Sequence, residues 1–532
     1  MIVPERADSR TLEMIRQLLS KGRINKEKWA REPGAVLVVA DEKPLKSANG
    51  QFALCMAVNA LSRLYPVLTC IGIWLPDSLS FCVKAPLFSG KRIHESLMNF
   101  VSRLKPECEV TIVDRLSDDW DAVLSIGTSK AKLKNKISIA SDGWIARISA
   151  DKLSKDFTEN SNPIGAYTAA CIGGMEVFKK VFLKKSDLLA PEKAPSDVRW
   201  RLRFIESEVS FSTFDYKINE KPASNPPIPD NVDLGNLCIV GVGAGGGAAA
   251  YSLASLSSLK GRLILIDPDE VKPSNMNRYV YALKVDLADE WSKVEVTREL
   301  FRHFDKLCVQ CYPHSYQKLS ESGKIGAMDL LVSTVDTKET RRDIQWDMPR
   351  VILDAAVLLS EFYVRRVDIG KGPCLLCTHK ADEVKHSSEE IVSQVIGLSQ
   401  KEIVRLRSTN ARITRELVNR MKEYSEKSGF ALPSAGERFS DWELAHCGEL
   451  ILPSTQERFP LTFSTILPGI LIAGEVIKER YFPEGILKNY YSYDMINLPV
   501  NGMTLQQPLS NCILCSPQKT RDIFAAKWKK CA

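Results

Sequence analysis

The sequence predicts an α/β protein made of two diverged copies of one nucleotide-binding domain, the second carrying a helical insert and a metal knot. Three observations carry that expectation. A glycine-rich turn joins two apolar strands between 237 and 267. An ordered internal repeat runs through the chain. Two Cys-x-x-Cys pairs stand 138 residues apart.

The bulk numbers agree. At 532 residues the chain has room for about three or four domain-sized units. Hydrophobic residues are 44% and charged residues 26%, which excludes a mostly disordered chain. The longest apolar run is too short to span a bilayer, and the first residues lack the apolar stretch of a signal peptide. Net charge is +7, from 72 basic and 65 acidic residues, without a basic run that would argue for nucleic acid. These features predict a cytoplasmic protein. There the 14 cysteines serve as metal ligands, nucleophiles or apolar filler.

The run from Leu237 reads as a buried strand entering G-x-G-x-x-G at Gly241, Gly243 and Gly246. A helix is expected over 248–258 and a second strand over 262–267, ending in Asp267. Such glycines permit a tight turn and close backbone approach to phosphates, while an acid about 20 residues on can hold ribose hydroxyls. The alternative is a glycine loop without a ligand. The pattern alone reads as a Rossmann-type nucleotide site and leaves NAD and ATP open.

The adjoining segment narrows the choice. The run Asp267-Pro-Asp269-Glu-Val-Lys-Pro-Ser-Asn275-Met-Asn277-Arg278 resembles the D-x-D-x-V-x-x-S-N-x-x-R signature of the ThiF/MoeB/ubiquitin-activating enzyme superfamily. Lys293 stands where that family has a phosphate-binding lysine, and Asp336 where a strand ends in its magnesium-binding aspartate. The resemblance covers roughly residues 230–515. It departs at Tyr279, where many members have Gln, and by two extra residues before Lys293. It implies ATP and Mg2+, with Asp267 on the ribose, Asn275 donating to phosphate, and Arg278, Lys293 and Asp336 stabilising charge on phosphorus. Each cation taken alone would read as a solvated surface charge.

The cysteine pairs Cys374/Cys377 and Cys512/Cys515 both come after turn-like residues and together supply four sulfurs for a structural Zn2+ site. A redox pair or chance spacing is the alternative. The pairs also match the family.

The repeat is visible in four ordered matches. The strand over 35–40 echoes that over 237–241, and the stretch 120–130 aligns with 328–338. Glu176-Val-Phe-Lys179 echoes Glu475-Val-Ile-Lys478, and 214–219 echoes 493–497. The first copy lacks the triple glycine, and Thr128 stands in place of Asp336. It is therefore expected to be a catalytically inactive partner in a pseudo-dimer of ThiF-type adenylation domains. In the family an arginine from the inactive partner completes the ATP site. Arg10 and Arg16, on a helix expected over 8–19, are the candidates, with Arg10 preferred.

Residues 382–446 read as a helical insert, with helices over 388–395 and 400–427. In the resembling enzymes this region carries the cysteine that takes the activated C-terminus as a thioester. Cys447 beside His446 is the candidate nucleophile. A small buried residue is the bland reading, and Cys531 the weaker alternative. The expected division is an inactive adenylation domain over 1–220, a linker over 221–236, the active domain over 237–381 and 447–532, and the insert between.

The resemblance implies adenylation of a ubiquitin-like protein, thioester formation on Cys447 and transfer to a conjugating enzyme. It implies neither nucleic acid nor membrane as partner. One chain would form the pseudo-dimer alone, or two chains would associate. Moderate size, with 17 residues after Cys515, resembles activating enzymes of bacterial ubiquitination-like (Bil) operons, a setting that implies antiphage defence. The alternatives are sulfur-carrier or peptide adenylation without onward conjugation, a fused conjugating-plus-activating enzyme, and a nucleotide-binding scaffold without catalysis.

Overall fold

A computed structural model describes residues 11, 14, 15, 18, 26–76, 79–129, 131–189, 202–287, 291–323, 325–369, 371–379, 388–428, 432–439, 442–443, 460–499 and 502–529. Two mixed sheets organise them. The first contains β1 (Ala35–Ala40), β2 (Cys70–Trp74), β3 (Glu109–Ile112), β4 (Ala122–Ile126), β5 (Lys136–Asp142), β6 (Ile145–Ser149) and β7 (Val209–Ser212), in the order β3-β2-β1-β4-β5-β6-β7. The second contains β8 (Val232–Val240), β9 (Leu259–Ile266), β10 (Leu307–Tyr312), β11 (Leu330–Ser333), β12 (Val351–Leu358), β13 (Glu361–Val367), β14 (Tyr490–Asp494) and β15 (Met503–Thr504). Its order is β10-β9-β8-β11-β12-β13-β14-β15.

The first seven strands of both sheets share one topology: five parallel strands and then antiparallel ones. The repeated letters therefore mark corresponding places. The matched strand pairs become β1 with β8 and β4 with β11. Both β4 and β11 are buried throughout, so apolar runs without alternation are what a two-faced parallel strand requires.

The helices are α1 (Lys26–Arg31), α2 (Glu42–Leu45), α3 (Ala48–Leu61), α4 (Ile93–Leu104), α5 (Pro163–Leu189), α6 (Ala244–Ala254), α7 (Lys293–Glu299), α8 (Tyr316–Glu321), α9 (Lys338–Ile344), α10 (Leu375–Thr378), α11 (Ser388–Ile396), α12 (Gln400–Ser408), α13 (Arg415–Ser428), α14 (Thr462–Tyr481) and α15 (Gln518–Lys529). None of them is long and apolar enough to cross a membrane.

The structure corrects several bounds. β8 begins at Val232, inside the stretch read as linker. α6 begins at Ala244, because the helix starts within the glycines. The long insert helix is two, α12 and α13. The chain turns between them at Asn410, whose φ of 46° cannot continue a right-handed helix.

One apolar core runs through both halves. Its centre is the meeting of α5 and α14, the corresponding apolar helices. Gly174 of α5 lies against the ring of Phe463, and Gly469 of α14 lets that helix approach α6. The Tyr167 hydroxyl meets Ser255 Oγ at 2.7 Å across the same seam. The insert has a separate small core around Val392, Ile396, Ile403, Met421, Phe439 and Trp442.

Candidate nucleotide site and sulfur cluster

The candidate site lies where β8 ends and the order of connections reverses, the place at which open α/β sheets receive ligands. Gly241 turns the chain with φ of 84° and packs on the backbone of Thr334 and Val335. A Cβ at Gly246 would collide with the Gly241 carbonyl. Gly243 is the N-cap of α6, and no side chain caps that end. The first N–H groups of α6 therefore face outward as donors beside the positive end of the helix dipole.

Asp267, at the end of β9, is 5% exposed. Its Oδ2 accepts from the Val242 N–H at 2.7 Å and its Oδ1 from the Asp269 N–H at 2.9 Å. Burial raises its pKa, while Lys293 and these N–H groups pull the other way. Lys293 is the first residue of α7, whose N-terminus is closed by a capping box between Ser292 and Glu295. The Lys293 Nζ lies 2.6 Å from Asp269 Oδ2 and 3.4 Å from Asp267 Oδ1. Burial opposes its charge, but Tyr279, Asp267 and Asp269 outweigh burial and raise its pKa.

Asn275 sits in a single 3-10 turn and shapes the loop, its Oδ1 accepting from the Lys272 N–H at 2.9 Å. Arg278 donates to Ser274 O at 3.0 Å and to Asn277 Oδ1 at 2.8 Å, and packs over the Tyr279 ring. Asp336 is exposed just beyond β11. Thr334, two residues earlier, donates its hydroxyl to Gly241 O, which brings the Asp336 loop to the glycine turn.

The N-terminal segment of the other half is also at the site. Thr11 Oγ1 lies 3.5 Å from Asn277 Nδ2, so that segment reaches the Arg278 loop. Arg10 and Arg16 lie outside the described residues, as do His446, Cys447 and Cys531.

Sequence reasoning missed what holds these loops. Arg341 of α9 pairs with the buried carboxylate of Asp354 and donates to Val335 O and Ala355 O. Asp354 also accepts from Ser333 Oγ and Tyr363 Oη, each at 2.9 Å, with His379 Nε2 at 3.4 Å. Burial alone would raise the Asp354 pKa; Arg341, His379 and Arg365 hold it well below the usual range. A lone acid inside the apolar strand β12 was the available signal. Arg63 and Asn59, which lie at the C-terminal end of α3, were missed too. Arg63 donates to Met276 O and Ala282 O, each at 2.9 Å, and Asn59 Nδ2 to Val280 O at 2.8 Å.

The corresponding place in the first half is closed. α2 occupies the turn after β1, and Pro44 fills the space at Gly127. The N-terminus of α3 is capped by Ser47, whose Oγ accepts from the Gly50 N–H at 3.1 Å. The cap satisfies a donor that α6 leaves open.

The four cysteines predicted as ligands converge. Cys374 and Cys377 are 3.8 Å apart at sulfur; Cys374–Cys512 and Cys377–Cys515 are each 3.4 Å. All four are buried and mutually within 4.8 Å. Tetrahedral zinc–thiolate bonds of about 2.3 Å give sulfur–sulfur edges of about 3.8 Å, so the cluster is compatible with zinc. Burial would raise the Cys512 thiol, but the Cys515 and Leu514 N–H groups, with Cys374 and Cys515 sulfurs, lower it to about 7.

Comparison with known proteins places these features. The model of the ThiF family matches residues 233–514, more than half of the chain. That of the BilD N-terminal domain matches residues 35–190. A protein of Sinorhizobium fredii, "Uncharacterized protein y4jF", is 26% identical over 475 residues, spanning 87% of this chain and 85% of that protein.

Proposed function

Because the chain belongs to the ThiF family, as an E1-like adenylating enzyme with a BilD N-terminal domain, we propose that it activates the C-terminus of a ubiquitin-like protein for conjugation. A carboxylate oxygen of that C-terminus attacks the α-phosphorus of ATP, forming an acyl adenylate and expelling pyrophosphate. The Cys447 thiolate then attacks the acyl carbon, AMP leaves, and a thioester forms for transfer to a conjugating enzyme.

The observation that carries this reading is the meeting of an uncapped helix N-terminus, the Lys293 ammonium and the Arg278 loop at the ends of β8 and β9. These donors suit triphosphate, and Asp267 and Asp269 give the acidic side that ribose hydroxyls need. They would also stabilise the charge that builds on phosphorus in the transition state. Asp336 would hold Mg2+, which would neutralise phosphate charge; its exposed carboxylate at the glycine turn fits that role. Cys374, Cys377, Cys512 and Cys515 would hold structural Zn2+. Arg10, next to Thr11, is the candidate for the arginine that the inactive half contributes. The capped α3 supports a single working nucleotide site.

The test is ATP–pyrophosphate exchange with a ubiquitin-like protein, and then non-reducing gels. Asp336→Ala should abolish exchange. Cys447→Ala should keep exchange and lose a reductant-sensitive adduct. Normal exchange in the first variant refutes the site, and an adduct persisting in the second refutes the nucleophile. Exchange without any adduct in the wild type would mean adenylation without onward conjugation.

A further inference from the structure

Tyr279 is the residue at which the motif departs from its family, and its placement is specific. The residue is 4% exposed. The ring stacks on Tyr281 at 5.2 Å between centroids. Tyr281 is itself fixed to the glycine turn, donating its hydroxyl to Val242 O at 2.6 Å and packing where Gly247 has no Cβ. The Arg278 guanidinium lies 5.4 Å and the Lys293 ammonium 5.9 Å from the Tyr279 ring centroid. Both cations of the site therefore gather around one aromatic ring, within cation–π range.

The hydroxyl reaches the open end of α6. A Cβ built on Gly243 would stand 3.6 Å from Tyr279 Oη, with no other side chain as close. Among the described residues no hydrogen-bond partner engages this hydroxyl. An uncapped helix of 11 residues and a largely buried, unpartnered phenol thus meet at one point. An anion placed there would find donors from both.

We propose that the Tyr279 hydroxyl donates a hydrogen bond to a phosphate oxygen of the bound nucleotide, and that its ring holds Arg278 and Lys293 in the positions from which they reach the same phosphates. The proposal rests on the ATP reading above and adds a residue to it. Tyr279 would act on binding of the polyphosphate rather than on the acceptor protein.

The test is equilibrium binding of Mg·ATP to the full chain by calorimetry, with Tyr279→Phe and Tyr279→Leu. Loss of one hydrogen bond to a charged acceptor predicts roughly ten- to hundred-fold weaker binding for Tyr279→Phe, with little change in hydrogen-exchange protection of the surrounding loop. Tyr279→Leu removes the ring as well and should bind more weakly still. If Tyr279→Phe binds Mg·ATP like the wild type, the hydroxyl makes no such contact and the proposal fails while the ATP reading stands. If both variants bind equally weakly, the ring has no role of its own. A wild-type protein that does not bind Mg·ATP would overturn both readings.

Discussion

Arg63→Ala should loosen the loop that presents Arg278 although Arg63 belongs to the other half of the chain. Arg63 is 5% exposed. Three of its N–H groups donate to Met276 O, Ala282 O and Asn59 Oδ1, each at 2.9 Å. Truncation strands all three acceptors in a buried setting, at about 1–3 kcal/mol each. Relief of burying a guanidinium, and water entering the space left behind, offset part of that sum. The net local loss is about 2–4 kcal/mol, equivalent to roughly a 30- to 1,000-fold larger opening constant. The readout is hydrogen exchange, which resolves local opening in a protein of several units where one global transition is not defined. The amides of Arg278, Tyr279 and Ala282, bonded to Asn275 O, Asn275 O and Tyr279 O, should exchange faster by about that factor. Amides of the first sheet away from α3 should not change. Unchanged protection at 278–282 in Arg63→Ala would refute the view that the end of α3 clamps this loop.

Two further outcomes test the supports of the site. In Lys478→Ala, Glu475, at 0% exposure in the native structure, loses its ammonium partner and keeps, among the described residues, Tyr216 Oη and the Leu487 N–H. A loss of about 3–5 kcal/mol is expected, read as faster hydrogen exchange of the α14 amides, whereas Lys180→Ala, half-buried on α5 over the Phe204 ring, should cost far less. With zinc held by the four sulfurs as proposed, metal analysis of purified protein should find one zinc per chain in the wild type and toward none in Cys512→Ser, which should also be proteolysed faster after residue 371. Full zinc occupancy in that variant would refute a four-sulfur site.

The parts of the molecule that local patterns encode were legible. The glycine turn, the Asp267–Arg278 run and the cysteine pairs are short, and their chemistry depends on spacing along the chain. The repeat was legible because duplicated strands keep their apolar character. Glu176/Lys179 and Glu475/Lys478 were visible as matching letters, but their meaning needed the fold. Both are buried ion pairs on the helices that join the halves, with Lys478 Nζ also donating to Thr213 O and Phe214 O. Contacts such as Arg63 to Ala282, 219 residues away in sequence, have no local signature. The closing of the first nucleotide place by α2 and Ser47 was only half legible: missing glycines show in the letters, whereas a capped helix shows only in three dimensions. Asn410, an ordinary polar residue in sequence, breaks what reads as one helix because a left-handed residue needs no special letter when it is Asn.

The capped end of α3 has a consequence for how such a molecule can evolve. In a homodimer every substitution occurs twice, so a side chain that shuts one pocket shuts its mate as well. Joining the copies into one chain removes that symmetry. Within one chain, one copy can hold a self-satisfied cap on α3, whose end grips the other copy through Asn59 and Arg63, while α6 of the other leaves its donors open. On the proposed reading, scaffold and chemistry would thus be divided within a single reading frame.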